Sequence, residues 1–302
     1  MKVSIVIINF NSTIHTIKCV ESILEKTKTE IEVIIVDNNS EDKERNALEL
    51  WHQKQSKNVK YIKSKLNTGF AMGNMLGANF SYGEYIFLLN NDCLLLNSAI
   101  DNLVEFMDKN HNVGLASPKI FDGEKNYTPS FNYPPTVANK WLGSSVCRIF
   151  NKEAYPPRKK KYLSPVSVPM ISGSAMFFRK SCFNELGGLD TNFFLYCEEE
   201  DVSIRAKRNG YDIYYNPAAE IIHFCGASTQ RSLDIEKEFY ISLFYMLEKN
   251  YSLLPRNLIK LRYIIKELKK ATKNKRHMKI FLFLLKGPSL TESMRHKMKC
   301  SR

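Results

Sequence analysis

The chain has 302 residues, 44% hydrophobic and 25% charged, an ordinary globular composition with room for one large or two small domains and a substantial core. Its seven cysteines are odd in number and none stand at CxxC spacing, which argues against a zinc ribbon or a disulfide framework and makes a reducing compartment the default. The net charge is +13, and Arg256–Arg302 alone, with fifteen Lys/Arg against Glu267 and Glu292, carries all of it.

The N-terminal run MKVSIVIINFNS reads as a first strand, because Asn9, Asn11 and Ser12 follow at once and no small-residue cleavage site appears. Val3–Ile8 and Ile31–Val36 are short, β-branched and continuously apolar, the pattern of buried parallel strands. Val59–Ile62 and Tyr85–Leu89 fit the same role. Helical stretches lie between them, at Thr13–Lys26, Lys43–Gln55 and Phe70–Phe80, followed by a helix at Ser98–Lys109 and a strand at Val113–Ala116. This alternation predicts an α/β sheet over the first ~115 residues.

Thr128–Pro169 is rich in Pro, Tyr, Asn and Lys and reads as long loops, of the kind that are often functional or mobile. A strand is expected at Ser174–Arg179, a short helix at Ser181–Leu186, a helix at Glu199–Asn209, and short strands at Ile213–Tyr215 and Glu220–His223. Leu233–Lys249 is a helix. Leu258–Lys270 is an amphipathic one, with Leu261, Ile264, Ile265 and Leu268 on its apolar face. No run of 18 apolar residues is present, so no transmembrane helix is expected.

Four places carry chemistry. Asp37, with Asn38 and Asn39, ends an apolar strand, where ligands of open α/β sheets bind; a carboxylate there can accept from a nucleobase imide or a ribose hydroxyl, although Asp and Asn also favour plain turns. Asn90-Asn91-Asp92 ends another strand, and a lone acid there suits a hard divalent cation that neutralises a diphosphate leaving group. Glu198-Glu199-Glu200-Asp201 follows an aromatic run. Acids are favoured at helix N-termini and Asp201 should pair with Arg205, yet one of the four could be a general base. His223 follows a short strand, a placement more often structural than ligating.

The segments VSIVIINFNS, EVIIVDNNS, NTGFAMGNMLGA, FLLNND, SGSAMFFRKSCFNELGGLD, FFLYCEEEDVSIRAKRNGY and IIHFCGAS, in this order from Val3 to about Ser228, resemble a family 2 glycosyltransferase of the rhamnosyltransferase-like branch. The resemblance implies a GT-A fold, a Rossmann-like mixed sheet flanked by helices. It divides into residues 1–250, with a nucleotide-binding half (1–115) and an acceptor and catalytic half (116–250), and a basic helical extension (251–302). It implies that Asp37 holds the donor base, with Asn9, Asn67, Gly69, Asn74, Asn90 and Asn91 around the donor and Ser172, Gly173 and Ser174 bordering the sugar. Asp92 and His223 would ligate Mg2+ or Mn2+. Glu199 would be the base, supported by Glu198 and Asp201, any one of which could take that role. The sequence departs from the family pattern at Asn90, where the first acid of DxD is usual, and at Glu199, which stands where the ED-x-D segment usually has Asp.

The implied reaction is inverting transfer of a hexose, foremost L-rhamnose from dTDP-L-rhamnose, to a hydroxyl of a saccharide or lipid-linked saccharide in cell-surface polysaccharide synthesis. A UDP-hexose or UDP-galactofuranose donor, or a non-catalytic nucleotide-sugar-binding protein, is the alternative. A nucleotidyltransferase would want a Gly-rich basic loop, which Asn9–Thr13 does not offer. The basic C-terminal segment lacks the interleaved aromatics of nucleic-acid binding and suggests a cytoplasmic protein held peripherally on an anionic membrane.

Overall fold

The computed structural model describes residues 1–224 and 232–298. Cys225–Ser228, the end of the last motif, and Cys300 lie outside the described residues. In chain order the first half comprises β1 (Val3–Asn9), α1 (Thr13–Lys26), β2 (Ile31–Asp37), α2 (Asp42–His52), β3 (Val59–Lys63), α3 (Gly69–Ala78), β4 (Tyr85–Leu89), β5 (Cys93–Leu95), α4 (Ala99–Lys109) and β6 (Val113–Phe121). The middle holds β7 (Tyr127–Thr128), β8 (Phe131–Asn132), α5 (Val137–Leu142), α6 (Ser144–Phe150), β9 (Val166–Ser167), β10 (Met170–Ile171), β11 (Ala175–Arg179) and α7 (Lys180–Glu185). Then come α8 (Glu198–Arg208), β12 (Asp212–His223), α9 (Leu233–Asn250), α10 (Leu253–Ala271) and α11 (Lys275–Lys286), followed by two 3-10 turns at Leu290–Glu292 and Met294–Lys297.

The main sheet runs β3-β2-β1-β4-β11-β6-β12-β5. Strands β3, β2, β1 and β4 are parallel, β11 is antiparallel to β4 and β6, and β5 closes the edge antiparallel to β12. Both faces are covered, which is why the strands read as continuous apolar runs. Val6, Ile34 and Leu88 join one core with α8 to α11. Ile5, Ile35 and Phe87, one residue along, join the other with α1 and α4.

Three expectations are corrected. Thr128–Pro169 is not all loop, because α5 and α6 form within it. Thr136 caps α5 by accepting from Asn139 N–H, and Arg148 of α6 donates to Tyr155 O at 2.7 Å. The two short strands at 213–215 and 220–223 are one strand, β12, that shifts register between Asn216 and Glu220, where Pro217 cannot donate to a ladder. The amphipathic helix begins earlier, at Leu253, because Pro255 falls in its first turn, where the missing N–H costs nothing.

Candidate active site

The parallel strands end at a common edge. Asn9 and Asp37 are register partners there, and Asn9 Nδ2 donates to Asp37 Oδ1 at 3.0 Å and to Ser40 Oγ at 3.1 Å. Ser40 N–H donates to the other Asp37 oxygen at 3.3 Å, so this fully buried carboxylate is held inside the protein. Asn74 is equally buried and donates to Phe70 O. Asn9, Asp37 and Asn74 thus stand one layer behind a cavity of about 460 Å³ whose wall includes Phe10, Asn38, Asn67, Gly69, Asn90 and Asn91.

Asn38 organises that wall. Its amide donates to Asn67 Oδ1 and Gly69 O, and it accepts from Thr68 N–H and hydroxyl. Gly69 has φ +77°, and a Cβ there would lie 2.2 Å from Phe194 O, so no side chain fits. The neighbouring Phe70 N–H donates to that same oxygen at 2.7 Å, tying the start of α3 to the aromatic run before α8.

Beyond β4, Asn91 Nδ2 donates to Thr16 Oγ1 at 2.9 Å, which positions the Asn90–Asp92 turn. Asp92 Oδ1 lies 3.1 Å from His223 Nε2, and Asn90 Nδ2 lies 3.4 Å from the same nitrogen. Asn90 Oδ1 is buried and accepts no hydrogen bond among the described residues, and buried Asp92 Oδ1 has only the His223 ring nitrogen beside it. Such oxygens are costly unless something cationic or protic meets them. Asp92, Cys93 and His223 place ligating atoms within 4.8 Å of one another. Carboxylate and amide oxygens beside an imidazole nitrogen fit a divalent cation such as Mg2+ or Mn2+. Cys93 was not anticipated from sequence; its position directly after Asp92 was the available signal.

The acids enter α8 through Tyr196 and Cys197, both left-handed at φ +74° and +65°. Non-Gly residues held this way cost about 1–3 kcal/mol each and persist where surroundings enforce them. Here Ser242 Oγ anchors Leu195 O at 2.7 Å. Gly173 packs against this turn, where a Cβ would lie 3.4 Å from Glu199 Cδ and 3.6 Å from Glu198 Oε1. Burial raises the Glu198 carboxyl to about 7. Burial, reinforced by the charges of Glu198 and Glu200, raises Glu199 well above the ordinary carboxylate range. Glu200 is raised by burial too, opposed by Lys140.

Asp201 is different. It is fully buried and accepts from Arg205 at 2.8 Å, Lys249 at 3.0 Å and Asn250 at 2.9 Å. The expected Asp201–Arg205 pair is present. Fully buried and held by two cations and an amide, this carboxylate is out of reach of an acceptor hydroxyl and serves to join α8 to α9, which argues against it as the base.

The sequence profile described as "Glycosyl transferase family 2" matches residues 4–187, more than half the chain. The chain is 23% identical over 241 residues to the N-acetylglucosaminyl-diphospho-decaprenol L-rhamnosyltransferase of Mycobacterium tuberculosis, covering 75% of this chain and 77% of that one. Its fold is similar to that of GalNAc-T7 solved with UDP, GalNAc and Mn2+, at TM-score 0.60 and 16% identity; the match covers 80% of this chain, which spans only 47% of that structure. It also resembles the mannosyltransferase PcManGT from Pyrobaculum calidifontis solved with GDP-Man and Mn2+, at TM-score 0.57 and 14% identity, covering 96% of this chain and 77% of that one. The parallel strand edge, the Asn90–Asp92 turn and the buried acids therefore sit on a GT-A fold, and the chain belongs to glycosyl transferase family 2.

Proposed function

We propose that this chain is an inverting, metal-dependent hexosyltransferase that moves a sugar from a nucleotide-diphosphate donor to an acceptor hydroxyl. The observation that carries the reading is the buried Asp92 carboxylate 3.1 Å from His223 Nε2, beside the unsatisfied Asn90 Oδ1 at the edge of the cavity. Asp92 and His223 would hold Mg2+ or Mn2+, with Cys93 beside them. Such an ion, when bound, supplies positive charge against a diphosphate leaving group. Asn67, Gly69, Asn90 and Asn91 border the donor; Asn9, Asp37 and Asn74 hold that border in shape, and Asp37 would reach the nucleobase only by exchanging a partner. Gly173 leaves room for the sugar beside the acids.

Glu199, supported by Glu198, takes the proton from the acceptor hydroxyl. The oxygen then forms its bond to the anomeric carbon on the face opposite the diphosphate as the carbon–oxygen bond to phosphate breaks, so the configuration inverts. The sugar is L-rhamnose, which the rhamnosyltransferase relative supports, and dTDP is the nucleotide the proposal pairs with it. The acceptor is a saccharide or lipid-linked saccharide in cell-surface polysaccharide synthesis, reached in part through residues 128–169. The protein works in the cytoplasm against an anionic membrane and takes no nucleic acid.

Purified protein should turn over a nucleotide-sugar with Mn2+ and lose at least about a hundredfold with EDTA or Asp92→Ala. Full activity in both would sink the metal assignment, and screening dTDP-, UDP- and GDP-sugars would fix the donor.

A further inference from the structure

The 3-10 turns after α11 return to the catalytic body. Ser293 and Glu238 of α9 are both buried, and Ser293 Oγ donates to Glu238 Oε1 at 2.8 Å. Met294 N–H donates to Glu238 Oε2, also at 2.8 Å. Among the described residues, both hydrogen bonds to this buried carboxylate come from this one segment. A buried carboxylate without partners costs several kcal/mol, so Glu238 strongly favours keeping the segment in place. Arg295 donates to Thr191 O and Lys297 pairs with Asp234 at 3.2 Å, so the strap is fastened to α9 and to the loop before α8.

This fastening sets Met294 and Met298 into the wall of the donor cavity, together with Ile235. With both methionines in place the cavity still measures about 460 Å³, within the size range of small-molecule sites. They therefore bound the cavity without filling it. Its other lining combines aromatic faces with asparagine amides, which suits a nucleoside or a sugar with an apolar face.

We propose that residues 290–298 form a fixed outer wall of the nucleotide-sugar site, in which Met294 and Met298 contact the donor and shut water away from it. The inference rests on the donor reading above. Methionine is suited to the task, because its unbranched thioether adapts to an irregular ligand surface without a polar group to desolvate. Water excluded from an activated donor also protects it from hydrolysis.

The test titrates full-length protein with UDP, dTDP and GDP in the presence of MnCl2 by calorimetry, beside a Met294→Ser/Met298→Ser variant and a Met294→Leu/Met298→Leu variant. The serine variant should bind the preferred nucleotide about tenfold more weakly and raise donor hydrolysis relative to transfer, while the leucine variant binds as wild type. Glu238→Ala removes both acceptor oxygens that hold Ser293 and Met294 N–H, and should weaken binding in the same direction. Circular dichroism and melting curves establish folding, with Met298→Ser alone as the milder substitute. Unchanged binding in the folded serine variant overturns the inference. So does tighter binding, which would make the methionines a plug. Should the wild type take none of the three nucleotides, the donor reading falls and the wall with it.

Discussion

Glu198 and Glu199 have opposing influences acting on them. The N-terminus of α8 favours their charged forms, while burial disfavours them, and burial dominates, lifting Glu198 to about 7 and Glu199 well above its ordinary range. A base must be deprotonated to act, so transfer should fall as pH drops through the raised range of Glu199, above the ordinary carboxylate range. Glu199→Gln should lower transfer by about a hundredfold or more while nucleotide diphosphate still binds. A variant within a few-fold of wild type would move the role to Glu198. The same shift has a stability sign. Because the folded state holds these protons more tightly than the unfolded chain, the pair's contribution is present below the unfolded value of 4.5 and is lost as pH rises through the folded values. Glu199→Gln should therefore raise the melting temperature at pH 8, and much less at pH 5.

At the scale of elements, residues 128–169 show how a segment without periodicity is organised by its partners. Trp141 Nε1 donates to Leu258 O at 3.2 Å and Arg262 Nε donates to Lys140 O at 3.1 Å, which fixes α5 against α10. Between α6 and β9, residues 151–165 form no helix or strand. Hydrogen exchange on the free protein should be fast across 151–165, slower in α5, and should slow further with a bound acceptor saccharide. Uniformly slow exchange would argue against a mobile acceptor-facing segment.

At the scale of the whole molecule, the basic extension sets where the protein meets its surroundings. It is anchored to the body: buried Glu267 accepts from Lys270 at 2.9 Å and faces His277 Nδ1 at 2.7 Å, joining α10 to α11. The face of α10 that packs inward is Ile259, Tyr263 and Ala271, whereas Leu261 and Leu268, expected to mark its apolar face, are 45% and 44% exposed. With Leu254 they stand seven residues apart on the outward side. Met278, Leu282 and Leu285 repeat the pattern on α11, and Trp141, Ile149 and Phe150 are exposed on the neighbouring α5 and α6. No described helix is long and apolar enough to cross a membrane. Leucines facing outward between lysines match a helix lying in a bilayer interface. Co-sedimentation with anionic vesicles should be strong at low salt, weak with neutral vesicles, and reduced by Leu261→Ser/Leu268→Ser. Equal binding of wild type and variant would place the membrane contact elsewhere.

What the sequence alone determined about this protein is whatever local pattern dictates. The apolar runs of β1, β2 and β4 have one stable home, a sheet covered on both faces, and α1 falls at Thr13–Lys26 as its periodicity requires. The Asn90–Asp92 and Glu198–Asp201 motifs were legible because strand ends and helix starts are local features. Only the tertiary structure separated the four acids, since Asp201 is excluded by Lys249 and Asn250, nearly fifty residues away. Likewise, only the tertiary structure joined β12 across its bulge, turned the leucines of α10 outward and carried Met294 to the cavity lined by Asn38, Asn67 and Asn90. Each of these depends on which distant surface a residue meets when the chain closes, and neither periodicity nor spacing encodes that choice.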